Sequence, residues 1–220
     1  MSDRWATFDC YGTLIDWNGG IRRELAQLFG EERSDRLLAR YHELEPGIQS
    51  EQPALAYRDV MALVLERLAG EEAIEPGPAD RDALGRSLPG WEPFPEVPAA
   101  LAAASGAGFR LCILSNSDPD LIAASIEQIG VPFDDAITAS EIGSYKPAHG
   151  HWRCFEQRYA RLPDVHVAAS LFHDVRPATE LGVPSVWVNR LGEPRDGYEP
   201  TREIPDLEPL ATVLGELAAP

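Results

Sequence analysis

The sequence predicts an α/β protein with a doubly wound parallel sheet and an inserted helical cap subdomain. Short apolar segments that end in polar or turn residues occur along the chain, and helical segments separate the later ones. A long stretch near the amino terminus contains no convincing strand. Such apolar runs are typical of parallel strands buried on both faces, and their alternation with helices favours a doubly wound sheet.

The elements of the predicted core follow in a regular order. Strands are predicted at residues 5–8, 109–114, 136–139, 167–171 and 185–188. Helices are predicted at residues 97–106, 119–129, 151–159 and 177–181. Ser117 and Asp118 favour a helix start at Pro119, and Gly130 favours its end. Residues 192–205 are rich in proline and charge, which predicts a surface loop before a last helix.

Residues 18–88 are predicted to form the cap. Amphipathic helices are predicted at residues 21–29, 34–44, 55–69 and 80–88. Pro46 and Gly47 are expected to separate the second helix from the third. The proline-rich segment 89–95 then returns the chain to the sheet. We therefore predict two units: an α/β core of residues 1–17 and 89–220, and a helical cap of residues 18–88.

The composition is typical of a soluble globular protein and limits the partners. Of the 220 residues, 44% are hydrophobic and 25% are charged, and no apolar run is long enough to span a bilayer. The amino terminus has no apolar signal segment, so a cytoplasmic location is expected. The net charge of −17 argues against nucleic acid and anionic membrane surfaces as partners. A small anionic substrate would need locally placed cations.

Polar residues follow the predicted strands at the edge where a doubly wound sheet binds its ligands. Asp9 follows the first strand, Ser115 and Asn116 follow the second, and Lys146 and Asp174 come after the third and fourth. An aspartate at a strand end can act as a nucleophile, although capping a turn is its more common role. The arrival of four segments at one edge favours the nucleophile.

These segments carry a resemblance to a known family. Residues 8–14, 114–116, 145–147 and the segment around Asp174 resemble the four motifs of the haloacid dehalogenase superfamily. The first motif, with Tyr11 two residues after Asp9, is similar to the L-2-haloacid dehalogenase branch, as are residues 93–98 and 187–190. The resemblance covers nearly the whole chain. It implies a Rossmann-like core, a helical cap, and a hydrolase that cleaves the carbon–halogen bond of short 2-haloalkanoic acids.

The residue at position 11 decides between leaving groups. Phosphatases of this superfamily carry an acid two residues after the nucleophile, which protonates the leaving alcohol. Tyr11 is a poor replacement, because a phenol is a weak acid at neutral pH. A halide leaves without a proton and needs only a cation or donor to stabilise its charge.

The resemblance implies roles for the catalytic residues. Asp9 would attack the halogen-bearing carbon and form an alkyl ester. Lys146 would hold Asp9 ionised and oriented, and Asp174 would assist the water that hydrolyses the ester. Thr13 and Ser115 would bind the nucleophile or the substrate carboxylate, with a turn or cap role as the alternative.

The resemblance also implies residues that bind the substrate. Arg40 on the cap is expected to bind the halide, with Asn116 as a second donor, although a solvent-facing Arg40 is the alternative. Tyr11 and Trp17 would form an apolar wall around the reacting carbon, or else pack in the core or hinge. Trp152 occupies the position of a family tyrosine.

The fourth motif departs from the family pattern. Ala169 and Leu171 stand where the dehalogenases carry a serine and an asparagine. Hydrogen-bond partners that would position Asp174, Lys146 and the hydrolytic water are therefore missing. The substitutes considered from the sequence are three histidines, a residue type that titrates near neutral pH: His149, His151 and His173.

Two other functions remain as alternatives. Asp9 and Asp174 could share an Mg²⁺ ion in a small-molecule phosphatase of the same superfamily. A degenerate member could bind a small acid without catalysis. The dehalogenase hypothesis needs no cofactor, and the widely spaced cysteines form no zinc or disulfide pattern. The apolar cap helices would either cover the site or form a homodimer face.

Overall fold

The computed structural model describes residues 4–75, 77 and 80–217. The described residues form a six-stranded sheet in the order β3-β2-β1-β4-β5-β6, with every neighbouring pair parallel. Helices surround the sheet, so the predicted α/β doubly wound fold is confirmed. Residues 1–3 and 218–220 of the predicted core, and residues 76, 78 and 79 of the predicted cap, lie outside the described residues.

The strands agree with the prediction except at two places. Their bounds are β1 Arg4–Phe8, β2 Phe109–Ser115, β3 Asp135–Thr138, β4 Val165–Ala168, β5 Ser185–Val188 and β6 Arg202–Ile204. Strand β4 begins and ends earlier than predicted, because it includes His166, a polar residue whose buried ring has partners. Strand β6 lies in the predicted loop and is an edge strand with two exposed residues, so it lacks an apolar run.

The helices form two groups along the chain. Between β1 and β2 lie α1 Trp17–Phe29, α2 Glu31–Glu51, α3 Tyr57–Glu71, α4 Ala83–Ser87 and α5 Val97–Gly106. The later helices are α6 Pro119–Ile129, α7 Ala139–Ile142, α8 Gly150–Tyr159, α9 Arg176–Glu180 and α10 Leu210–Leu217. Among all the described residues, no helix combines the length and the apolarity that a membrane crossing requires.

Helix α2 continues through Pro46 and Gly47, where a break was predicted. A proline inside a helix removes one backbone hydrogen bond, at a cost of about 3 kcal/mol. Glu45, Ile48 and Gln49 around it are all buried, so tertiary contacts hold the helix together there. The division of the chain into a core and a cap stays a prediction.

Apolar clusters cover both faces of the sheet. Along β2, Leu111 and Ile113 belong to the larger cluster, whereas Cys112 and Leu114 belong to the smaller one. Successive side chains of a strand point to opposite faces, which explains this alternation. Because both faces of the sheet are covered by apolar side chains, the strands appear in the sequence as continuous hydrophobic runs.

The carboxyl end of β1 lies at the switch point of the sheet. Strand β1 pairs with β2 on one side and with β4 on the other, so the chain reverses its direction of progress at this strand. Ligands of doubly wound sheets bind outside the carboxyl ends at such a switch point. Asp9 follows β1 directly, and its N–H donates to the Val167 carbonyl of β4 at 3.0 Å.

Candidate active site

A cavity of about 510 Å³ lies at the carboxyl ends of the strands, between them and helices α1, α2 and α3. This volume is in the range of small-molecule sites, about 300–1,000 Å³. Predicted site residues that line it are Asp9, Tyr11, Trp17, Ser115, Asn116, Lys146 and Asp174. Those that do not are Thr13, Arg40 and Trp152.

Lys146 joins the two predicted carboxylates. Its Nζ donates to Asp9 Oδ1 at 2.9 Å, to Asp174 Oδ1 at 2.6 Å and to the Leu114 carbonyl at 2.8 Å. An ammonium has three N–H donors, so these acceptors use all of them. Lys146 is also the one lysine in a sequence that otherwise uses arginine. A single lysine among many arginines indicates a position where a compact ammonium fits and a planar guanidinium does not.

The buried charges shift one another's pKa. Burial alone would lower the pKa of Lys146, but the carboxylates of Asp174 and Asp9 outweigh burial and raise it. Burial alone would raise the pKa of Asp174, but Lys146 and His166 lower it well below its usual range. At neutral pH the site therefore holds a positive Lys146 beside a negative Asp174.

Thr13 and Ser115 lie on different sides of this arrangement. The Thr13 hydroxyl donates to Asp9 Oδ2 at 2.8 Å and accepts the Ala169 N–H at 2.9 Å, and the residue is fully buried. Thr13 thus contacts Asp9, the predicted nucleophile, and does not line the cavity. Ser115 lines the cavity, and its hydroxyl makes no hydrogen bond to other described residues. The Ser115 hydroxyl is therefore free to contact a ligand.

Asn116 holds the segment that carries Lys146. Its Oδ1 accepts the Lys146 N–H at 2.6 Å, and its Nδ2 donates to the Lys146 carbonyl at 3.0 Å. The predicted role of Asn116 was to donate to a leaving group. Although Asn116 lines the cavity, the structure uses its amide to position the lysine backbone.

Asp174 lies in a π turn, Leu171–Val175, which Ala169 and Ser170 separate from β4. Ser170 caps this turn, because its hydroxyl accepts the His173 N–H at 3.0 Å. The Asp174 Oδ1 also accepts from His166 Nε2 at 2.9 Å, and His166 Nδ1 lies 2.9 Å from the Thr7 hydroxyl. His166 was not predicted as a site residue. Its signal in the sequence is a polar residue between Val165 and Val167.

None of the three histidines considered from the sequence is the one that bonds Asp174. His173 lines the cavity, and burial lowers its pKa. His151 is fully buried with Nε2 2.9 Å from the Ser115 carbonyl, and burial and then Lys146 lower its pKa to about 3. His149 bonds Glu180 at 2.8 Å, away from the cavity. The histidine that bonds Asp174 is His166, a different residue.

The structure does not bring Arg40 to the site, which corrects its proposed role as the halide ligand. The Arg40 guanidinium forms ion pairs with Glu71 and Glu43, both at 2.7 Å, on the exposed side of α2. Helix α2 lines the cavity through residues that include Glu45 and Gln49. At about 100° per residue, Arg40 projects about 140° away from Glu45 around the helix.

Trp152 also lies outside the cavity, which corrects its assignment to substrate binding. Its side chain is fully buried in the smaller apolar cluster. The Trp152 ring packs edge-on against His166, with ring centroids 5.3 Å apart. Trp152 therefore supports the histidine that contacts Asp174 and does not line the cavity.

Tyr11 and Trp17 form part of the cavity wall. The Tyr11 ring stacks on Tyr57 with centroids 6.2 Å apart, and its hydroxyl lies 3.1 Å from Ser125 Oγ. Burial, followed by the charge of Cys10, raises the pKa of Tyr11 well above its usual value. Trp17 Nε1 donates to the Tyr57 hydroxyl at 3.1 Å. Tyr11 is therefore an even weaker acid here than in water.

Glu45 is a cavity residue that the sequence did not reveal. Only 6% of it is exposed, and its Oε1 accepts the Tyr57 hydroxyl at 2.8 Å and the Tyr41 hydroxyl at 3.3 Å. Burial raises the pKa of Glu45 to about 7. Glu45 lies on the same helix as Arg40, but the sequence alone does not give the rotational phase of the helix.

Arg190 is a second unpredicted cavity residue. It follows β5, and its guanidinium pairs with Glu96 at 2.7 Å and donates to the Thr13 carbonyl at 2.8 Å. The guanidinium carbon also lies 3.7 Å from the centroid of the Phe94 ring. Arg190 ends the segment 187–190 that carried part of the family resemblance, so a signal was present.

Asp9 and Asp174, the two carboxylates that the phosphatase alternative would use to hold Mg²⁺, each have one oxygen on Lys146 Nζ. Mg²⁺ requires a nearly octahedral shell of oxygen ligands. Within residues 4–75, 77 and 80–217, no group of three or more His, Cys, Asp or Glu side chains could hold a metal ion.

Comparisons with known proteins find relatives of this chain among haloacid dehalogenases. A family model described as haloacid dehalogenase-like hydrolase matches residues 4–169. The (S)-2-haloacid dehalogenase of Pseudomonas sp. strain YL is 28% identical over 218 residues, which cover 91% of this chain and 88% of that protein. The (S)-2-haloacid dehalogenase 1 of Pseudomonas sp. strain CBS-3 is 27% identical and covers 96% of both chains.

Solved structures share the fold. The L-2-haloacid dehalogenase of Xanthobacter autotrophicus, with chloropropionic acid covalently bound, superposes with a TM-score of 0.85 at 18% identity. The alignment covers 98% of this chain and 100% of that chain. A likeness at this level of identity shows that the whole described architecture is common to both.

Proposed function

The chain belongs to the haloacid dehalogenase-like hydrolase family, and we propose that it cleaves the carbon–halogen bond of short 2-haloalkanoic acids. One observation carries this proposal. Lys146 and Thr13 hold the Asp9 carboxylate at the cavity, and Tyr11 stands where a phosphatase needs an acid. The names of the curated relatives and the chloropropionic acid bound in a neighbouring structure support this substrate class.

The first step is a displacement by Asp9. A carboxylate oxygen attacks the carbon that carries the halogen, and the carbon–halogen electron pair leaves with the halide ion. The products are a halide and an ester of Asp9. Lys146 bonds Oδ1 and Thr13 bonds Oδ2, so the carboxylate is oriented before the substrate arrives.

The substrate carboxylate needs donors in an otherwise acidic protein. The Ser115 hydroxyl lines the cavity without a partner among the described residues, and Tyr11 and Gly12 of the turn after Asp9 also line it. The Arg190 guanidinium adds positive charge to the wall. These groups would bind the carboxylate and place the neighbouring carbon in front of Asp9.

The second step hydrolyses the ester. Water attacks the Asp9 carbonyl carbon, the ester bond breaks, and a 2-hydroxy acid, a proton and the Asp9 carboxylate result. Lys146 stabilises the negative charge that develops on the carbonyl oxygen. Asp174, fixed by Lys146 and His166, orients the water. In this scheme Lys146 supplies the positive charge, so no metal or cofactor takes part.

Halide release from 2-chloropropionate and phosphate release from an aryl phosphate test this proposal together. We expect halide release without Mg²⁺, and its loss in Asp9→Asn, because an amide is a much weaker nucleophile than a carboxylate. Asp35→Asn is the matched control, since Asp35 is an exposed residue that pairs with Arg22. This control variant is expected to keep the wild-type rate.

The outcomes separate the alternatives. Phosphate release that depends on Mg²⁺, without halide release, would overturn the proposal in favour of a phosphatase. A folded protein that releases neither ion, yet binds 2-chloropropionate, would identify a non-catalytic binder. Equal halide release by wild type and Asp9→Asn would show that Asp9 is not the nucleophile.

A further inference from the structure

Helix α2 presents a buried carboxyl group to the cavity. Glu45 and Asp9 both line the cavity. Glu45 comes from helix α2, whereas Asp9 follows strand β1. Its Oε1 bonds two tyrosine hydroxyls, whereas Oε2 has no partner among the described residues and is not among their enclosed unpaired atoms. Oε2 is therefore the oxygen that faces the cavity.

The hydrogen bonds decide which oxygen carries a proton. Trp17 Nε1 donates to the Tyr57 hydroxyl, so the Tyr57 proton is directed to Glu45 Oε1. Tyr41 also donates to Oε1. Because Oε1 accepts from both tyrosines, a proton on the Glu45 carboxyl is located on Oε2. A protonated Glu45 is thus an O–H donor that points into the cavity.

The direction of the displacement brings the leaving group to this donor. Asp9 attacks from the edge of the sheet, and a displaced group leaves on the side of the carbon opposite to the attacking oxygen. We place that side at α2, because its residues His42, Glu45 and Gln49 line the cavity whereas Asp9 follows strand β1. Arg40 is turned away from it, so no described residue of α2 supplies a cation there.

Ionisable groups surround Glu45 on several elements. They are Tyr41 and His42 on α2, Tyr57 on α3, Tyr145 before Lys146, and, across the cavity, Asp9, Lys146, His173, Asp174 and Arg190. Burial is the largest influence on Glu45 and raises its pKa to about 7, while the hydrogen bonds from Tyr57 and Tyr41 act in the opposite direction. Protonated Glu45 is thus well populated below this pH.

We infer that protonated Glu45 donates a hydrogen bond from Oε2 to the halide as it leaves, in the place where a cation was expected. The inference rests on the proposed function and identifies the group that stabilises its leaving ion. A carboxylic acid kept neutral in an apolar site can stabilise developing negative charge in this way. Ionised Glu45 would instead repel the halide.

This donor has a consequence for the class of substrate. A hydrogen bond stabilises a small, strongly accepting ion more than a large, diffuse one. The strength of halides as acceptors rises from bromide to chloride to fluoride. A leaving-group site built on an O–H donor therefore helps most where the carbon–halogen bond is hardest to break, in 2-chloro and 2-fluoro acids.

The pH dependence of kcat/KM for halide release tests the inference. In the wild-type enzyme, kcat/KM should fall as pH rises through about 7, because the free enzyme loses the Glu45 proton. In Glu45→Gln this fall should disappear, since an amide N–H donates at any pH. Glu43→Gln is the matched control, because Glu43 is an exposed glutamate on the same helix. It should keep the wild-type profile.

Two further variants protect the test against misfolding and against a merely structural role. Tyr57→Phe keeps Glu45 but removes a hydrogen bond that lowers its pKa, so the fall in kcat/KM should move to higher pH. Glu45→Leu removes the donor, and we expect kcat/KM for halide release to fall by about 10²-fold. These losses should increase from 2-bromo to 2-chloro to 2-fluoro acids.

Failure of the inference differs from failure of the proposed function. If wild type releases halide but Glu45→Gln keeps the wild-type pH profile, the donor is not Glu45. An unchanged profile in Tyr57→Phe, or equal losses for the three halides in Glu45→Leu, also contradicts the inference. If wild type releases no halide from any of these acids, the proposed function itself is wrong.

Discussion

At the scale of the residue, one lysine determines the chemistry of the site. Lys146 donates each of its N–H groups to a fixed acceptor and is 2% exposed. An arginine would bring a larger planar group with donors in a different geometry. A buried cation of this kind is coupled to two carboxylates, so its removal leaves the charges of both without the cation that compensates them.

Replacement of Lys146 should therefore affect stability as well as activity. Lys146→Met should lower the free energy of unfolding by about 3–5 kcal/mol, because breaking a buried ion pair leaves uncompensated charge. Lys146→Arg should keep the charge but lose halide release. The measurement is urea unfolding, with Arg67→Met as the control, since Arg67 forms an exposed pair with Glu51. A surface pair contributes about 0–1 kcal/mol, so equal losses in both variants would contradict this account.

His166 should act on the second step alone. It holds Asp174 through a 2.9 Å hydrogen bond and does not line the cavity. In His166→Phe we expect the first halide to be released in a normal burst, followed by turnover slowed by about 10²-fold, because the water is poorly oriented. Stopped-flow halide detection separates these phases. A burst that is lost along with turnover would assign His166 to the first step or to folding.

The sequence revealed some of these residues and not others, for physical reasons. Asp9, Ser115, Lys146 and Asp174 follow strands, and the carboxyl ends of parallel strands must meet at one edge. Glu45 and Arg40 lie on one helix, where a small error in rotational phase exchanges the buried and exposed positions. His166 acts through tertiary partners, which a single sequence does not show.

At the scale of the element, one carboxylate connects helix α3 to the sheet. Asp118 was expected to cap α6, but its Oδ1 and Oδ2 accept the N–H groups of Tyr57 and Arg58 at 2.9 and 3.0 Å. The residue at the α3 N-cap is Ala56, which has no side chain to do this. The cap of α3 thus comes from the loop after β2.

Removal of this long-range cap should destabilise the protein. Asp118→Ala should cost about 1–2 kcal/mol, the usual loss for a helix N-cap. Asp120→Ala is the matched control, because Asp120 lies two residues on and bonds the exposed Arg58 guanidinium. Thermal unfolding of both variants checks this expectation. A loss in Asp120→Ala as large as that in Asp118→Ala would contradict the capping role.

The Glu45 network ties together helices α1, α2 and α3 and makes their stability depend on pH. The pKa of Glu45 is higher in the folded protein, about 7, than its ordinary value of 4.5. The folded state therefore binds more protons, and stability is lost as pH rises between these values. Each unit of pKa shift corresponds to about 1.4 kcal/mol, so the total is about 3 kcal/mol.

Urea unfolding at a series of pH values measures this effect. The stability of wild type relative to Glu45→Gln should fall by about 3 kcal/mol between about pH 4 and about pH 8. Glu43→Gln should track wild type across the series. A constant difference between wild type and Glu45→Gln would show that folding does not raise the pKa of Glu45.

The bounds of helices and strands could be predicted where the sequence pattern is regular. The prediction failed where tertiary contacts decide the structure. The α5 and α6 bounds agree with the prediction, because both helices have clear stop signals in the chain. Helix α2 runs through Pro46, since buried neighbours offset the missing hydrogen bond. Strand β6 carries no apolar run because it forms the exposed edge of the sheet.

At the scale of the whole molecule, the proposed substrate and the protein carry the same sign of charge. The net charge of −17 repels an anionic acid, while Lys146 and Arg190 attract it only at short range. Salt screens the long-range repulsion with a Debye length of about 10 Å at about 0.1 M. We therefore expect kcat/KM for 2-chloropropionate to rise with salt at low ionic strength, and to stay constant for its neutral amide if that is turned over. A fall in kcat/KM with salt would show that local cations dominate the approach.

The proposed function depends on the claim that Asp9 becomes covalently attached to the substrate. A single turnover in water enriched in the heavy oxygen isotope, with enzyme in excess over 2-chloropropionate, detects this attachment. Water attacks the Asp9 ester carbonyl, so mass spectrometry should find the heavy oxygen in the peptide that contains Asp9, and the hydroxy acid should carry ordinary oxygen. Heavy oxygen in the hydroxy acid, with an unlabelled Asp9 peptide, would contradict the claim, because water would then have attacked the substrate directly.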